Sequence, residues 1–457
     1  MQFQITDLPV FKSQLMVWAS QFNTCFWLDS NEYSADAYTQ YELLVGIGLQ
    51  KKAITTAKVG KVLPTLNQLQ TQIQAKNNTK PIDKWLFLAL AYDVKNETEP
   101  NSNLYTRQPN SMGFPDLIAL QPDLLLKIRK NGWCEIEISD KYAKLWPPEK
   151  IRNAIESKNT FDFTNKLAGN LLNGKPLVNL TQPIAPFISK KRYLQQIKAM
   201  QKHICQGNIY EANFCQSFVA KNAQISHPWA LFNKFNSLNA APFAGFMHVG
   251  HWQLYCGSPE RFIQKTGNQI ISQPIKGTTK RGATPQLDAA LAQALRQNPK
   301  EQAENVMIVD LVRNDLARMA QLGSVRVAEL FGVYSFAKVH HLISTITAQL
   351  PQININFTQI LQACFPMGSM TGAPKISAMQ ICNTLEASRR GMYAGTMGYI
   401  DPNGNFDFNV IIRSLIFNAK KQILSFQVGG AITHQSNPLA EYEECLLKAT
   451  TMLDVLQ

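Results

Sequence analysis

"FAGFMHVGHWQLYCGSPERFIQKTGNQIISQPI" (residues 243–275) decides the fold. Its four runs, FAGFMHV, WQLYCGS, RFIQKT and QIISQPI, are short, rich in aromatic and aliphatic residues, and punctuated by glycine and proline. Such a pattern predicts a meander of strands. Downstream, residues 288–320 predict one or two helices, residues 324–350 strands, and residues 373–386 a helix. "YAGTMGYIDPNGNFDFNVIIRSLIF" (393–417) predicts a hairpin that turns at Asn403-Gly404. Upstream, residues 191–208 form an amphipathic pattern with Tyr193, Ile197, Met200 and Ile204 on one face, stopped by Gly207. Nearer the N-terminus, CFWLDS, WLFLALAYDV and CEIEIS are strand-like, and LPTLNQLQTQIQ is helical. Strand pairs dominate and no regular β-α-β alternation appears. The expected class is therefore α+β, with large antiparallel sheets.

At 457 residues the chain exceeds the usual size of a single core. The expected organisation is an N-terminal region (1–145), a connecting segment rich in Asn, Pro and Lys around one short helix (146–188), and a C-terminal region (189–457). With 45% hydrophobic and 17% charged residues, the composition is that of a globular protein. No apolar run reaches the length of a membrane span, and the first residues lack a basic then apolar signal pattern. A cytoplasmic location is the expectation. The eight cysteines are scattered singly, without CxxC pairs or zinc-ligand spacing, as small buried thiols in a reducing compartment would be. The net charge of +13 is spread along the chain and no nucleic-acid-binding module accompanies it. Its expected consequence is attraction of an anionic substrate.

Within "QPIKGTTKRG" (273–282), Lys276 sits between an isoleucine and a Gly-Thr turn. Alone it reads first as a surface charge, with a phosphate or DNA contact and a nucleophile held in a pocket as the alternatives. Two acidic pairs, Glu301/Glu304 and Glu441/Glu444, share a spacing of three that puts each pair on one helix face. Pairs of this kind are common on solvated helices. The apolar sequence following Glu304 suggests burial, and two buried carboxylate pairs repel unless a cation bridges them. Oxygen ligands without Cys or His favour Mg2+. "GSMTGAPK" (368–375) lacks the spacing of a phosphate loop, although its glycines permit close approach to a helix start at Pro374. "VGGAITH" (428–434) reads as a small-residue turn whose amides suit a carboxylate.

Taken together and in order, SPERF (258–262), QPIKGTTKRG, ENVMIVDLVRNDLAR (304–318), HHLIST (340–345), FPMGSMTGAPKISAMQI (365–381), YAGTMGYI and NVIIRSL (409–415) resemble the chorismate-utilising enzymes. The resemblance covers roughly residues 190–455. WLDSNE (27–32) and AYDVKNETE (91–99) are similar to the N-terminal region of the component I branch. The lysine of PIKGT resembles the aminodeoxychorismate synthase component I family, where anthranilate synthases carry alanine.

The resemblance implies a two-sheet antiparallel β-sandwich with surrounding helices, its N- and C-terminal regions interlocked. It implies amination of chorismate at C4 on the route to p-aminobenzoate and folate. Lys276 would be the nucleophile, with Lys280 and Arg281 as cationic neighbours, and Glu260 the general acid. His341 would lie near the pyruvyl side chain. Arg413, Lys448 and the amides of Gly429, Gly430 and Ala431 would hold carboxylates, with Thr278 in the same substrate site and Tyr393 flanking the ring. Mg2+ would be held directly by Glu304 and Glu444, and through waters by Glu301 and Glu441. Ammonia would come from a separate glutamine amidotransferase subunit, since no cysteine nucleophile elbow with a His-x-Glu dyad is evident. Ser30, Pro242 and Phe243 would line a tryptophan pocket. Two positions depart from the family pattern: Glu211 stands where Gln is usual, and Gln435-Ser436 replaces Asp-Ser. Lysine at the first position marks isochorismate and salicylate synthases, so Glu211 argues against them. The rival readings are anthranilate synthase component I, a basic nucleic-acid-binding protein, and a non-catalytic paralogue.

Overall fold

A computed structural model describes residues 1–76, 79–157, 176–351 and 355–457. Two large antiparallel sheets form its centre. The first has twelve strands. Across it run Gln2–Gln4, Trp133–Ile138, Leu124–Arg129, Tyr41–Ile47, Thr24–Asp29, Phe243–Val249, Trp252–Ser258, Ser414–Asn418, Ile423–Ile432, Glu211–Lys221 and Ala185–Pro186, with Gly372–Ala373 also paired to Glu211–Lys221. The second has ten strands. Its order is Ile275–Lys280, Val339–Gln349, Gln269–Gln273, Arg261–Thr266, Phe406–Asn409, Thr396–Ile400, Leu86–Leu90, Leu117–Leu120 and Ile54–Ala57, with Arg326–Ser335 also on Val339–Gln349. Both sheets draw strands from both ends of the sequence. Thr24–Asp29 pairs with Phe243–Val249 in one, and Leu86–Leu90 with Thr396–Ile400 in the other.

The strand period of two sorts the core. In the first sheet Phe26, Leu44, Met247, Leu254 and Cys256 face the second sheet. Their neighbours Cys25, Trp27, Leu43, Phe246 and Tyr255 face the outer helices Leu8–Ala19, Lys190–Cys205 and Pro228–Asn239. Both faces are buried, which explains why these strands look uniformly apolar. Gly46 lets the sheets close together, since a Cβ there would lie 2.5 Å from the Phe87 ring of the opposite sheet.

The four runs of residues 243–275 are strands, but they do not form one meander. The first two belong to the first sheet and the next two to the second. The chain crosses at Pro259-Glu260, where proline offers no amide to continue a ladder. The Ser258 hydroxyl stabilises the corner, accepting from the Glu260 amide at 3.2 Å. A second crossing runs from Phe406–Asn409 to Ser414–Asn418, and the Val410 amide donates to the Glu260 carbonyl at 3.0 Å. The two crossings are thus tied together.

The helical stretch 288–320 is two helices, Pro285–Gln297 and Pro299–Ala317. The Asn298 side chain caps the second by accepting from the amides of Lys300 and Glu301. Residues 428–432 are the end of strand Ile423–Ile432, a correction to the expected turn: pairing with Glu211–Lys221 keeps the small residues extended. Within the expected connection 146–188, Pro148–Glu156 is helical and residues 158–175 lie outside the described ones. Among the described residues no helix is long and apolar enough to cross a membrane.

Candidate active site

Lys276 stands on an irregularity of its strand. Ile275 pairs with Ile343 and Thr278 with His341, so three steps on one strand face two on the other. The extra residue is a β-bulge, which re-aims a side chain. Gly277 accommodates it with φ +96°, and a Cβ there would lie 3.0 Å from Glu301 Oε2. Lys276 Nζ lies 3.3 Å from Glu211 Oε1 and 3.7 Å from Glu304 Oε2, with its side chain only 12% exposed. Its partners are carboxylates, whereas cations were expected. Arg281 is instead engaged by Asp288, at 2.8 and 2.7 Å, and donates to the Phe336 carbonyl.

Glu211 opens strand Glu211–Lys221, held by a backbone approach that only glycine permits. Gly372 has φ +153°, and a Cβ on it would lie 2.3 Å from the Glu211 carbonyl oxygen. The side chain is buried, and Oε2 has no hydrogen-bond partner among the described residues. Burial pushes the carboxyl pKa up, Lys276 opposes the rise and Glu304 adds to it.

Glu260 sits buried at the first crossing between sheets. Burial pushes its carboxyl up to about 7, against the pull of the Ile275 amide and of Lys276. Such a group is protonated or ionised according to small changes near neutrality.

His341 is buried beside Thr278 and Arg413. Its Nδ1 is 2.8 Å from Thr278 Oγ1, and its Nε2 is 3.4 Å from Arg413 Nη2. A guanidinium only donates, so Nε2 accepts and the ring proton belongs on Nδ1. Burial, then the Arg413 charge, hold the imidazole down to about 3, which keeps it neutral. Arg413 sits on the second crossing with φ +48°, a left-handed conformation rare away from glycine. Its guanidinium pKa is lowered by burial, and its polar side-chain contact among the described residues is to His341.

Strand Ile423–Ile432 is flanked by Ser414–Asn418 only as far as Phe426. Beyond that, Gly429, Gly430 and Ala431 pair on one side alone, with Cys215, Phe214 and Asn213. This bare edge leaves backbone groups for a ligand. Lys448 reaches it, donating to the Gly429 carbonyl at 3.0 Å while pairing with Glu444 at 2.7 Å. Tyr393 is buried among the apolar residues between the sheets, within electrostatic reach of Cys215, the strand partner of Gly429, and burial raises its hydroxyl pKa.

The acidic pairs lie near the starts of helices Pro299–Ala317 and Pro438–Leu456. Burial raises the Glu301 carboxyl, and Glu304 and Glu444 add to the rise. Burial likewise raises Glu441, with Glu444 adding to it. Burial also opposes ionisation of Glu444, but Lys448, Lys300 and Lys276 outweigh it and lower the pKa. The four carboxylates therefore feel one another across two helices, with lysines as counter-charges. Among the described residues no three potential ligands already converge on one point. The all-oxygen donor set and its mutual repulsion nevertheless fit a hard divalent cation.

Ser30, Pro242 and Phe243 do meet, in a small recess shared with Tyr41, Met397 and Asp407. The Ser30 hydroxyl donates to Glu42 at 2.6 Å, leaving its lone pairs as acceptors.

Two supporting residues escaped the sequence reading. Asn305 is buried, accepts from the Ser344 hydroxyl at 2.6 Å and donates to the Lys276 carbonyl at 3.5 Å. Arg390 is buried, pairs with Glu386 at 2.7 Å and donates to the carbonyls of Met370 and Asn213, both at 2.7 Å. The available signals were a lone Asn opening an apolar run, and a Glu–Arg pair at a spacing of four.

Comparison with known proteins follows the same lines. The family model described as chorismate binding enzyme matches residues 23–454. Aminodeoxychorismate synthase component 1 of Klebsiella aerogenes is 42% identical over 270 residues, covering 59% of each chain. Its counterpart from Escherichia coli K12 is 40% identical over 270 residues, covering 59% of this chain and 58% of that protein. The match thus spans less than two thirds of these relatives' own length. The crystal structure of anthranilate synthase component I from Streptococcus pneumoniae TIGR4 superimposes with a TM-score of 0.71 at 22% identity, covering 92% of this chain and 93% of that one.

Proposed function

This chain belongs to the chorismate binding enzymes, and from that premise we propose that it aminates chorismate at C4. The observation that carries the reading is Lys276, raised on a bulge and enclosed beside Glu211 and Glu304. Arg413, whose polar side-chain contact is to His341, suits a substrate carboxylate, as do Lys448 and the bare edge of residues 429–431. Thr278 and neutral His341 complete a polar wall around that position. Glu304 and Glu444, with Glu301 and Glu441 through waters, would hold Mg2+, whose charge neutralises the ring carboxylate.

The chemistry balances with these groups. Lys276 first gives one proton to a neighbouring carboxylate, Glu211 or Glu304, and the neutral amine then forms a bond to C2, the ring double bond shifts, and the C4–O bond breaks. Glu260 gives its proton to the departing oxygen, which leaves as water. Ammonia then forms the N–C4 bond, the double bond returns and the C2–N bond breaks. Lys276 departs as a neutral amine, and C4 carries an ammonium group. Ammonia would reach this chain from a separate glutamine amidotransferase.

Incubation with chorismate, Mg2+ and ammonium chloride tests the reading, with mass analysis and coupling to a lyase that releases p-aminobenzoate. The expected product is 4-amino-4-deoxychorismate. Anthranilate in its place would overturn the C4 assignment, and unconsumed chorismate would overturn the activity.

The acid role of Glu260 sets a pH dependence. The carboxyl works in its protonated form, so kcat/KM should decline as pH rises through about 7. Glu260→Gln should lower the rate and remove that limb from the profile. A limb that persists in the variant assigns it to another group.

The recess at Ser30, Pro242 and Phe243 has the mixed polar and apolar lining that an amino acid requires, and we assign it to tryptophan. Added tryptophan is expected to raise the melting temperature with occupancy, by mass action. A melting temperature indifferent to saturating tryptophan would leave the recess without this ligand.

A further inference from the structure

A groove of about 430 Å3 opens between helices Lys190–Cys205 and Lys375–Leu385, and none of the residues assigned above to chorismate or Mg2+ lines it. That volume suits a small molecule. One wall is the C-terminal end of helix Lys375–Leu385, whose last carbonyls lack intrahelical partners and carry the negative end of the helix dipole. Two glutamine side chains are clamped onto that end by their amide nitrogens. Gln108 donates to the carbonyls of Asn383 at 3.2 Å and Glu386 at 2.6 Å. Gln196 donates to the Leu385 carbonyl, and its side-chain oxygen is buried without a donor among the described residues. Because Gln196 is only 9% exposed, that oxygen costs free energy which the N–H group of a ligand would recover. This wall is rich in acceptors and suits a cationic donor.

The facing wall has the opposite sign. Helix Lys190–Cys205 lines the groove with Arg192, Gln195, Gln196 and Ala199, a single face at helical spacing. The helix carries five Lys and Arg residues and no acidic one, so its field favours an anion. Arg192 is exposed at the groove, and a guanidinium takes a carboxylate through two parallel hydrogen bonds. Gln195 and Thr384 add neutral hydrogen-bonding groups, and the apolar lining is confined to Ala199, Leu385 and Ala387.

We propose that this groove is a binding site for a free α-amino acid whose polar side chain is about the size of glutamine's. The ligand ammonium donates to Gln196 Oε1 and to the carbonyls ending helix Lys375–Leu385, and the carboxylate pairs with Arg192. A zwitterion meets both walls at once. A simple anion leaves the Gln196 oxygen bare, and a simple amine leaves Arg192 unused. The sparse apolar lining disfavours an indole, which separates this ligand from the tryptophan assigned to the recess at Ser30. The inference is independent of the amination reading.

L-Glutamine is titrated calorimetrically into the whole chain, beside its α-amide, which lacks the carboxylate, and N-acetyl-L-glutamine, which lacks the ammonium. The expected result is a Kd for glutamine of about 1 mM or tighter, weakened about tenfold or more in each analogue. Arg192→Ala, a change at an exposed position, should weaken glutamine about tenfold or more while the melting temperature of the unliganded protein holds. The two analogues decide the question on the unaltered chain should that variant lose stability. No saturable heat up to about 10 mM glutamine overturns the site. Affinity indifferent to Arg192→Ala, or to loss of either charged group, overturns it equally.

Discussion

Lys276→Ala is expected to lower C4 amination by about a thousandfold or more, because the covalent route ends with the side chain. The substitution removes an amine enclosed between Glu211 and Glu304, so those carboxylates lose their shared counter-charge. Residual chemistry would have to rely on direct attack by ammonia. On the proposed reading, chorismate held by Arg413 and the bare strand edge would still present C2, so slow formation of a C2-aminated product is the expected remnant. Product mass and retention distinguish the two outcomes, and a melting curve checks the fold. Undiminished 4-amino-4-deoxychorismate from the purified variant would remove Lys276 from the chemistry.

Glu304→Ala and Glu444→Ala are each expected to reduce kcat/KM by about a hundredfold or more at moderate Mg2+. Each change withdraws an oxygen from a set whose members already repel one another. The proposed cation would then bind less tightly, and the substrate carboxylate with it. Glu304 also touches Lys276, so its variant affects two groups, whereas Glu444 pairs with Lys448. The decisive measurement is therefore the Mg2+ concentration for half-maximal rate, which should rise in both variants. Wild-type Mg2+ dependence in both would mean that the acidic pairs serve only as counter-charges for the lysines.

Local pattern revealed most of the secondary structure. Residues 190–205 are helical where Tyr193, Ile197 and Met200 share a face, and residues 396–400 and 406–409 pair around Gly404. The spacing of Glu301/Glu304 and Glu441/Glu444 placed each pair on a helix, although only the fold brings the two helices into mutual electrostatic reach. A period of two identifies a strand but carries nothing about which sheet receives it, so the break at Pro259-Glu260 was hidden. The bulge at Lys276-Gly277 was equally invisible, because it is a mismatch of register with residues 341–343. The positive φ of Arg413 arises where the chain turns back towards the first sheet, and arginine gives no local hint of it. Glu211 could be recognised as a departure, but its contact with Lys276 joins residues 65 apart and exists only once the strands are assembled.

The pairing of Thr24–Asp29 with Phe243–Val249, and of Leu86–Leu90 with Thr396–Ile400, has a consequence for the growing polypeptide. On the ribosome the first of these strands emerges more than two hundred residues before its partner, and the second more than three hundred. Throughout that interval each exposes an open hydrogen-bonding edge made of residues such as Phe26, Trp27, Phe87 and Leu88. Such edges accept foreign strands as readily as native ones. Nascent chains close together on one message can therefore complete each other's sheets. Slower elongation lengthens the exposure, and a chaperone that covers apolar strands shields it. The yield of native protein is then governed by the order of synthesis as well as by the stability of the finished molecule.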